Sequence, residues 1–178
     1  VQGVGHVGYY LCQYLAEAGA QLTVTDIDAK AMEQMADKWG ANTVHPDSIY
    51  EAKVDVFAPC AMGAVINDET LPRLQANIVA GSANNQLSQA HHGESLAAQK
   101  ILYAPDYVIN AGGIINISHE RPVYDEVKAY AHTAQIHDTL IDLFRKANAA
   151  QMAPEKMADK MAEARIFNAR QQQTSVAA

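Results

Sequence analysis

The chain opens VQGVGHVGYYLCQYL (residues 1–15), and Gly3, Gly5 and Gly8 set the spacing G-x-G-x-x-G within its first eight positions. Glycines so placed suit a sharp connection from a β-strand into a helix. The first makes the turn, the second lets another group approach the backbone, and the third lets the helix pack on its strand. The helix is legible at once: Val7, Tyr10, Leu11, Tyr14 and Leu15 recur at i, i+3, i+4 spacing, and Gly19 ends the run. The strand is not, because only Val1 and Gln2 stand before the turn. A first strand cut short is the expectation.

Downstream, short apolar runs alternate with helical patterns. QLTVTD (21–26) reads as a strand, Asp28 caps a helix whose face is Met32, Met35, Ala36 and Trp39, and Gly40 closes it. ANTVHP is a weaker strand stopped by Pro46, and VDVFAP (54–59) is a clearer one. Asn67 and Asp68 are expected to cap a short helix through Leu74. NIVAGSANN (77–85) reads as strand then loop, and a polar, histidine-bearing stretch leads to a helix near Leu96. KILYAPDYVINAGG carries a further strand toward Asn110. From Glu120 the pattern is helical, with Ile136, Leu140, Leu143 and Ala147 on one face, and Pro154 opens a last helix carrying Met157 and Met161. The tail QQQTSVAA is expected to fray.

Alternation of this kind predicts an α/β fold: a Rossmann-type, doubly wound, mostly parallel sheet with its first strand truncated and a C-terminal helical extension. Residues 1–150 form that domain with its long helix, and residues 151–178 the final helix and tail.

Composition narrows the function. Of 178 residues, 49% are hydrophobic and 19% charged, values of a globular chain. A formal net charge of −7 disfavours nucleic acid or an anionic membrane as partner. Local backbone amides can still hold a small anion. No run approaches the ~18 apolar residues of a spanning helix, and no basic-then-apolar leader opens the chain, so a cytoplasmic location is expected. Cys12 and Cys60 do not make a disulfide framework.

The glycine turn gains meaning from Asp26, at the end of the second predicted strand. An acid there accepts hydrogen bonds from the two hydroxyls of an adenosine ribose and repels a 2′-phosphate, which favours NAD over NADP. Three further loops sit at the same predicted sheet edge, where open α/β sheets bind ligands. They are Cys60–Gly63, Gly81–Gln86 and Asn110–Gly113. Small residues let a flat cofactor lie against the backbone, and asparagines donate and accept. Cys60 has no identifiable base beside it and reads as lining. His91 and His92, adjacent in sequence, are expected to point apart with no third ligand, so no metal site is assigned. His132 and His137 read as solvated.

The stretches VQGVGHVGYYLCQYL, VTDID, DVFAPCAMGAVIND, AGSANNQL and LYAPDYVINAGGIIN resemble the leucine, valine and phenylalanine dehydrogenases, over residues 1 to about 165, with leucine dehydrogenases nearest. That resemblance implies reversible oxidative deamination of an L-amino acid, leucine-like, to a 2-oxo acid and ammonium with NAD. It implies that the turn Gly3, Val4, Gly5, His6, Val7 and Gly8 holds the pyrophosphate and Asp26 the ribose. Cys60, Ala61, Ala83 and Asn84 then line the cofactor, with Asn84 and Asn85 toward the nicotinamide ribose and substrate. Ile114 and Ile117 match positions lining the substrate side-chain pocket, although by pattern alone both would be ordinary core. His6 stands where the family commonly has Asn, which alters a polar contact near the phosphates. The family's substrate domain and its catalytic lysines lie outside this chain, so no catalytic residue is assigned and the chain alone is expected to be inactive. A homo-oligomer is implied for the intact enzyme. The alternatives are a valine or phenylalanine dehydrogenase, a 2-hydroxy-acid enzyme, which would need a His/acid pair not evident here, and a silent NAD-binding module.

Overall fold

The computed structural model describes residues 1–120 and 123–176, the side chains of 172–176 aside. Among the described residues, five short strands and seven helices follow in the order α1 (His6–Glu17), β1 (Thr23–Val24), α2 (Ala29–Trp39), β2 (Asn42–Thr43), β3 (Val56–Phe57), β4 (Ile78–Val79), α3 (His91–Ala98), β5 (Leu102–Tyr103), α4 (Asp106–Ile109), α5 (Gly112–Ser118), α6 (Glu126–Ala149) and α7 (Pro154–Val176). Single 3-10 turns cover Pro46–Glu51 and Leu71–Arg73.

Two parallel ladders form, β1–β2 and β3–β4–β5. The opening residues join them. Gln2 bridges in parallel to Thr25 on one side and Pro59 on the other. The bonds run Val1 N to Thr23 O (2.7 Å), Gly3 N to Thr25 O (2.8 Å), Gln2 N to Ala58 O (2.9 Å) and Cys60 N to Gln2 O (2.7 Å). Residues 1–3 are therefore the central strand of a continuous sheet, in the spatial order β2–β1–(1–3)–β3–β4–β5. The chain order reverses at residues 1–3, which marks the switch point of a doubly wound sheet.

Behind that central strand, between β1 and β3, lies a groove of about 520 Å³ lined by Val1, Leu11, Leu15, Leu22, Val56 and Phe57 among others. Two apolar clusters flank the sheet. One gathers Val4, Cys12, Leu22, Val24 and Met35 under α1 and α2. The other gathers Phe57, Ile66, Leu71, Val79, Leu96 and Tyr103 around β3–β5. On α6, Leu143 and Ala147 are buried, as the sequence pattern required.

The expected face of α1 is corrected. Gly8 and Cys12 are its buried residues, whereas Val7, Tyr10 and Tyr14 are exposed. A close helix–sheet approach turns the glycine side inward and leaves the tyrosines outside. Asn67 and Asp68 do not cap a helix: Asn67 Oδ1 accepts from Glu69 N and Thr70 N at 3.0 Å within a turn, Thr70 is the cap of the 3-10 turn Leu71–Arg73 that follows, and Asp68 bonds His92 instead. The segment toward Asn110 is not one strand: β5 ends at Tyr103, Pro105 breaks the ladder, and α4 intervenes. The tail expected to fray is helical through Val176, and residues 177–178 lie outside the described residues.

Glu155, in the first turn of α7, lies over Gly93 of α3 with both carboxylate oxygens buried and unpartnered. Burial pushes its carboxyl above the ordinary range, and Glu94 and Asp159 add to the shift. A raised folded-state pKa means that stability falls as pH rises from near 4.5 through the folded value. Glu155→Gln is expected to stabilise the fold at neutral pH by about 1 kcal/mol. Its melting curve should coincide with that of the parent in acid and lie above it at pH 7; superimposable curves at pH 7 contradict the assignment.

Candidate functional site

Every feature of the site stands at the carboxyl end of the sheet. Gly3 has φ +89°, and a Cβ on it would lie 2.6 Å from the Ala61 Cβ, so only glycine fits between the turn and the β3 loop. A Cβ on Gly8 would overlap the carbonyl oxygen of Gly3, so the missing side chain is what lets α1 start directly over the strand. At Gly5 a methyl would meet nothing within 4 Å. Gly5 is the N-cap of α1 without a side-chain cap, and no acid occupies the first turn. The first helical bond is Tyr9 N to Gly5 O (2.8 Å), leaving the amides of His6, Val7 and Gly8 without intrahelical acceptors. Open space ahead of uncapped amides fits an anionic pyrophosphate.

Asp26 ends the strand beside this turn. Its Oδ2 accepts from Val4 N at 2.7 Å and its Oδ1 from Asp28 N at 3.0 Å. Asp28 is the helix cap, accepting from Lys30 N at 2.9 Å, as expected. The bond to Val4 was not legible in the sequence: the Asp26 carboxylate pins the glycine turn.

The other loops converge on the same edge. Ala83 N donates to Pro59 O (2.9 Å) and Ala64 N to Asn85 O (2.6 Å), which tie the Cys60–Gly63 and Gly81–Gln86 loops together. Gln86 is fully buried and donates through Nε2 to Gly81 O and Ala83 O. Asp106, also buried, accepts from Gln86 N at 2.7 Å. Ala83 is buried, Cys60 half-buried, and Asn84 and Asn85 are exposed, with Asn85 at φ +51°. Ile114 and Ile117 are 68% and 58% exposed, so neither is the ordinary core that pattern alone suggested. Asp106 and Gln86 were missed as supports; the only signal was an acid inside the apolar run LYAPDYVI.

A family model described as Glutamate/Leucine/Phenylalanine/Valine dehydrogenase matches residues 1–176. The chain belongs to this dehydrogenase family. Its members are NAD(P)-dependent. Leucine dehydrogenase of Thermoactinomyces intermedius is 49% identical over 166 residues, covering 93% of this chain and 45% of the relative. The crystal structure of L-tryptophan dehydrogenase from Nostoc punctiforme superposes with a TM-score of 0.93 at 46% identity, covering 96% of this chain and 51% of that one. The hetero-hexameric glutamate dehydrogenase of Thermus thermophilus in its Leu-bound form shares the fold alone, at TM-score 0.67 and 16% identity, over 89% of this chain and 43% of that one. The chain thus spans about half the length of the relatives it matches.

Other polar clusters of this dehydrogenase chain stand apart in their bonding. His91 and His92 do not point apart: their rings lie 4.1 Å centroid to centroid, and Asp68 Oδ1 is 3.7 Å and 3.1 Å from their respective Nε2 atoms. His92 Nδ1 accepts from Gln89 N at 3.0 Å, which places its proton on Nε2, facing Asp68 as a donor. That bond holds the Asp68 carboxyl below its usual range and clamps the start of α3. The structure thus brings Asp68 to the two histidines as the third group that the sequence did not show, one ligand atom of each lying within 4.8 Å of the others. His132 contacts His119 at 3.1 Å, and His137 contacts Asp138 at 3.0 Å, both at the surface. Among the described residues, no helix is long and apolar enough to cross a membrane.

Proposed function

We propose that this chain is the NAD-binding portion of a cytoplasmic amino-acid dehydrogenase that reversibly deaminates a branched-chain, leucine-like L-amino acid to its 2-oxo acid and ammonium. The observation that supports the reading is the shared edge: uncapped α1 amides, Asp26 and the Cys60–Ala61 and Ala83–Asn85 loops stand at one switch point, and α5, with the exposed Ile114 and Ile117, follows Asn110, which bonds the same loop.

NAD, when bound, accepts a hydride from the amino-acid Cα. The chain's own residues orient it. The amides from Gly3 to Gly8 hold the pyrophosphate, and Asp26 accepts from the adenosine ribose while excluding a 2′-phosphate. Cys60, Ala61, Ala83 and Asn84 line the nicotinamide half, and Asn85 faces the substrate. Ile114 and Ile117 offer branched apolar surface to an aliphatic side chain, each buried methylene contributing about 0.8 kcal/mol. Val127 and Tyr130, on α6 which packs against α5, are exposed as well, as suits a face closed by another domain or by a subunit of a homo-oligomer. The general acid/base lysine of the family reaction has no counterpart assigned here.

Calorimetric titration of the 178-residue chain with NAD and NADP tests the cofactor half of this reading. NAD is expected to bind and NADP to bind far more weakly. Asp26→Asn should weaken NAD binding by about 10–100-fold, the range for a hydrogen bond to a charged group. An unchanged affinity removes Asp26 from the site. Deamination is expected to be undetectable for the chain alone and to appear when the N-terminal half of the Thermoactinomyces enzyme is supplied. Leucine, valine, phenylalanine and tryptophan assayed in that complemented form separate the substrate alternatives. NAD binding without any rescue points instead to a silent binding module.

A further inference from the structure

Asn110, the C-cap of α4, sits within reach of the loop on which the proposed nicotinamide contacts lie. Its Nδ2 is 2.6 Å from Asn84 Oδ1 and 3.4 Å from the Ser82 carbonyl oxygen. A backbone carbonyl accepts only, so the NH2 end of Asn110 must face this loop. Asn84 then has no choice of orientation. Its Oδ1 is taken, and its own NH2 group, without a protein partner among the described residues, is turned outward at an exposed position.

The support behind Asn110 is rigid. Asn110 N donates to Asp106 O at 2.9 Å, and the buried Asp106 carboxylate accepts from Tyr107 N and Gln86 N, each at 2.7 Å. The 81–86 loop is held at its end by Asp106 and in its middle by Asn110. Two residues beyond Asn110, α5 begins, carrying Ile114 and Ile117.

We propose that Asn110 is a positioning residue that fixes Asn84 as a hydrogen-bond donor toward the nicotinamide half of the cofactor. The inference rests on the dehydrogenase reading above and adds a residue to it. The group met by Asn84 is accordingly an acceptor, a ribose hydroxyl oxygen or a carboxamide oxygen. An aspartate at position 110 can only accept, so Asn84 has to rotate its amide, donate inward and show oxygen to the cleft, while Ser82 O loses its donor.

The test compares NAD with ADP, which contains the adenosine and pyrophosphate but no nicotinamide or second ribose. Both are titrated into the 178-residue chain and into Asn110→Asp. In the variant, NAD is expected to bind about tenfold more weakly, the scale of one reversed hydrogen bond, while ADP binds within twofold of the parent. Asn84→Asp, which still accepts from Asn110 but offers no donor outward, is expected to reproduce the NAD defect and spare ADP. An unchanged NAD affinity in Asn110→Asp overturns the inference, as does equal weakening of NAD and ADP, which marks general damage. A parent chain that binds ADP but gains nothing from the nicotinamide half overturns it too. A parent that binds neither defeats the cofactor reading itself.

Discussion

Gly8→Ala is expected to cost about 3 kcal/mol of stability, the upper part of the range for overpacking a tight site. At roughly 2–4 °C per kcal/mol for a chain of this size, the melting temperature should fall by roughly 6–12 °C. The added Cβ collides with the Gly3 carbonyl, and neither group can move alone. The Gly3 carbonyl belongs to the turn that Asp26 pins through Val4, and Gly8 lies one helical turn from buried Cys12. Relieving the overlap lifts α1 off the sheet. Gly5→Ala is the informative partner. Its methyl enters open space, and its φ of −63° suits alanine, so the fold should melt as the parent does. The same methyl occupies the room ahead of the α1 amides, so NAD binding should be lost. Equal melting of Gly8→Ala and the parent, or undiminished NAD binding by Gly5→Ala, contradicts the geometry assigned to the turn.

The second large effect concerns the groove behind residues 1–3. Its two walls are strand edges: β1 presents Thr23 and β3 presents Val56 toward the gap, with Leu11, Leu15 and Phe57 lining it. Val1 already sits in register, its N-terminal amine donating to Thr23 O. Four β-branched residues joined ahead of Val1 are expected to continue that strand, filling the groove and pairing with both neighbours. Two inward side chains, each contributing about 1.5–3 kcal/mol on burial, should yield a net gain of about 3 kcal/mol after ordering costs. The melting temperature is then expected to rise by roughly 6–12 °C. Four glycine or serine residues at the same place should give little. Equal curves for the two extensions contradict a strand site in the groove.

Much of the architecture was legible because it rests on local rules. Gly3, Gly5 and Gly8 announced a strand–turn–helix from their spacing, Asp28 announced a cap, and Leu143 and Ala147 announced the inner face of α6. Each of these depends on groups a few residues apart. The α1 face was misjudged because periodicity counts hydrophobicity, whereas the close approach of helix to sheet selected Gly8 and Cys12. The histidines of α3 were misjudged for a similar reason: Asp68, 23 and 24 positions upstream, draws both rings to one side.

The sequence by itself determined the α/β alternation, the glycine turn, the acid that follows it and the resemblance to amino-acid dehydrogenases. Local propensity and residue chemistry suffice for those. Only the tertiary structure decided that residues 1–3 are the centre of one sheet, that Asp26 grips the turn it stands beside, and that Asn110 governs how Asn84 faces the cleft. Those facts are hydrogen bonds between segments 22 to 58 residues apart. No local pattern encodes such a bond, because it exists only once the strands are laid side by side.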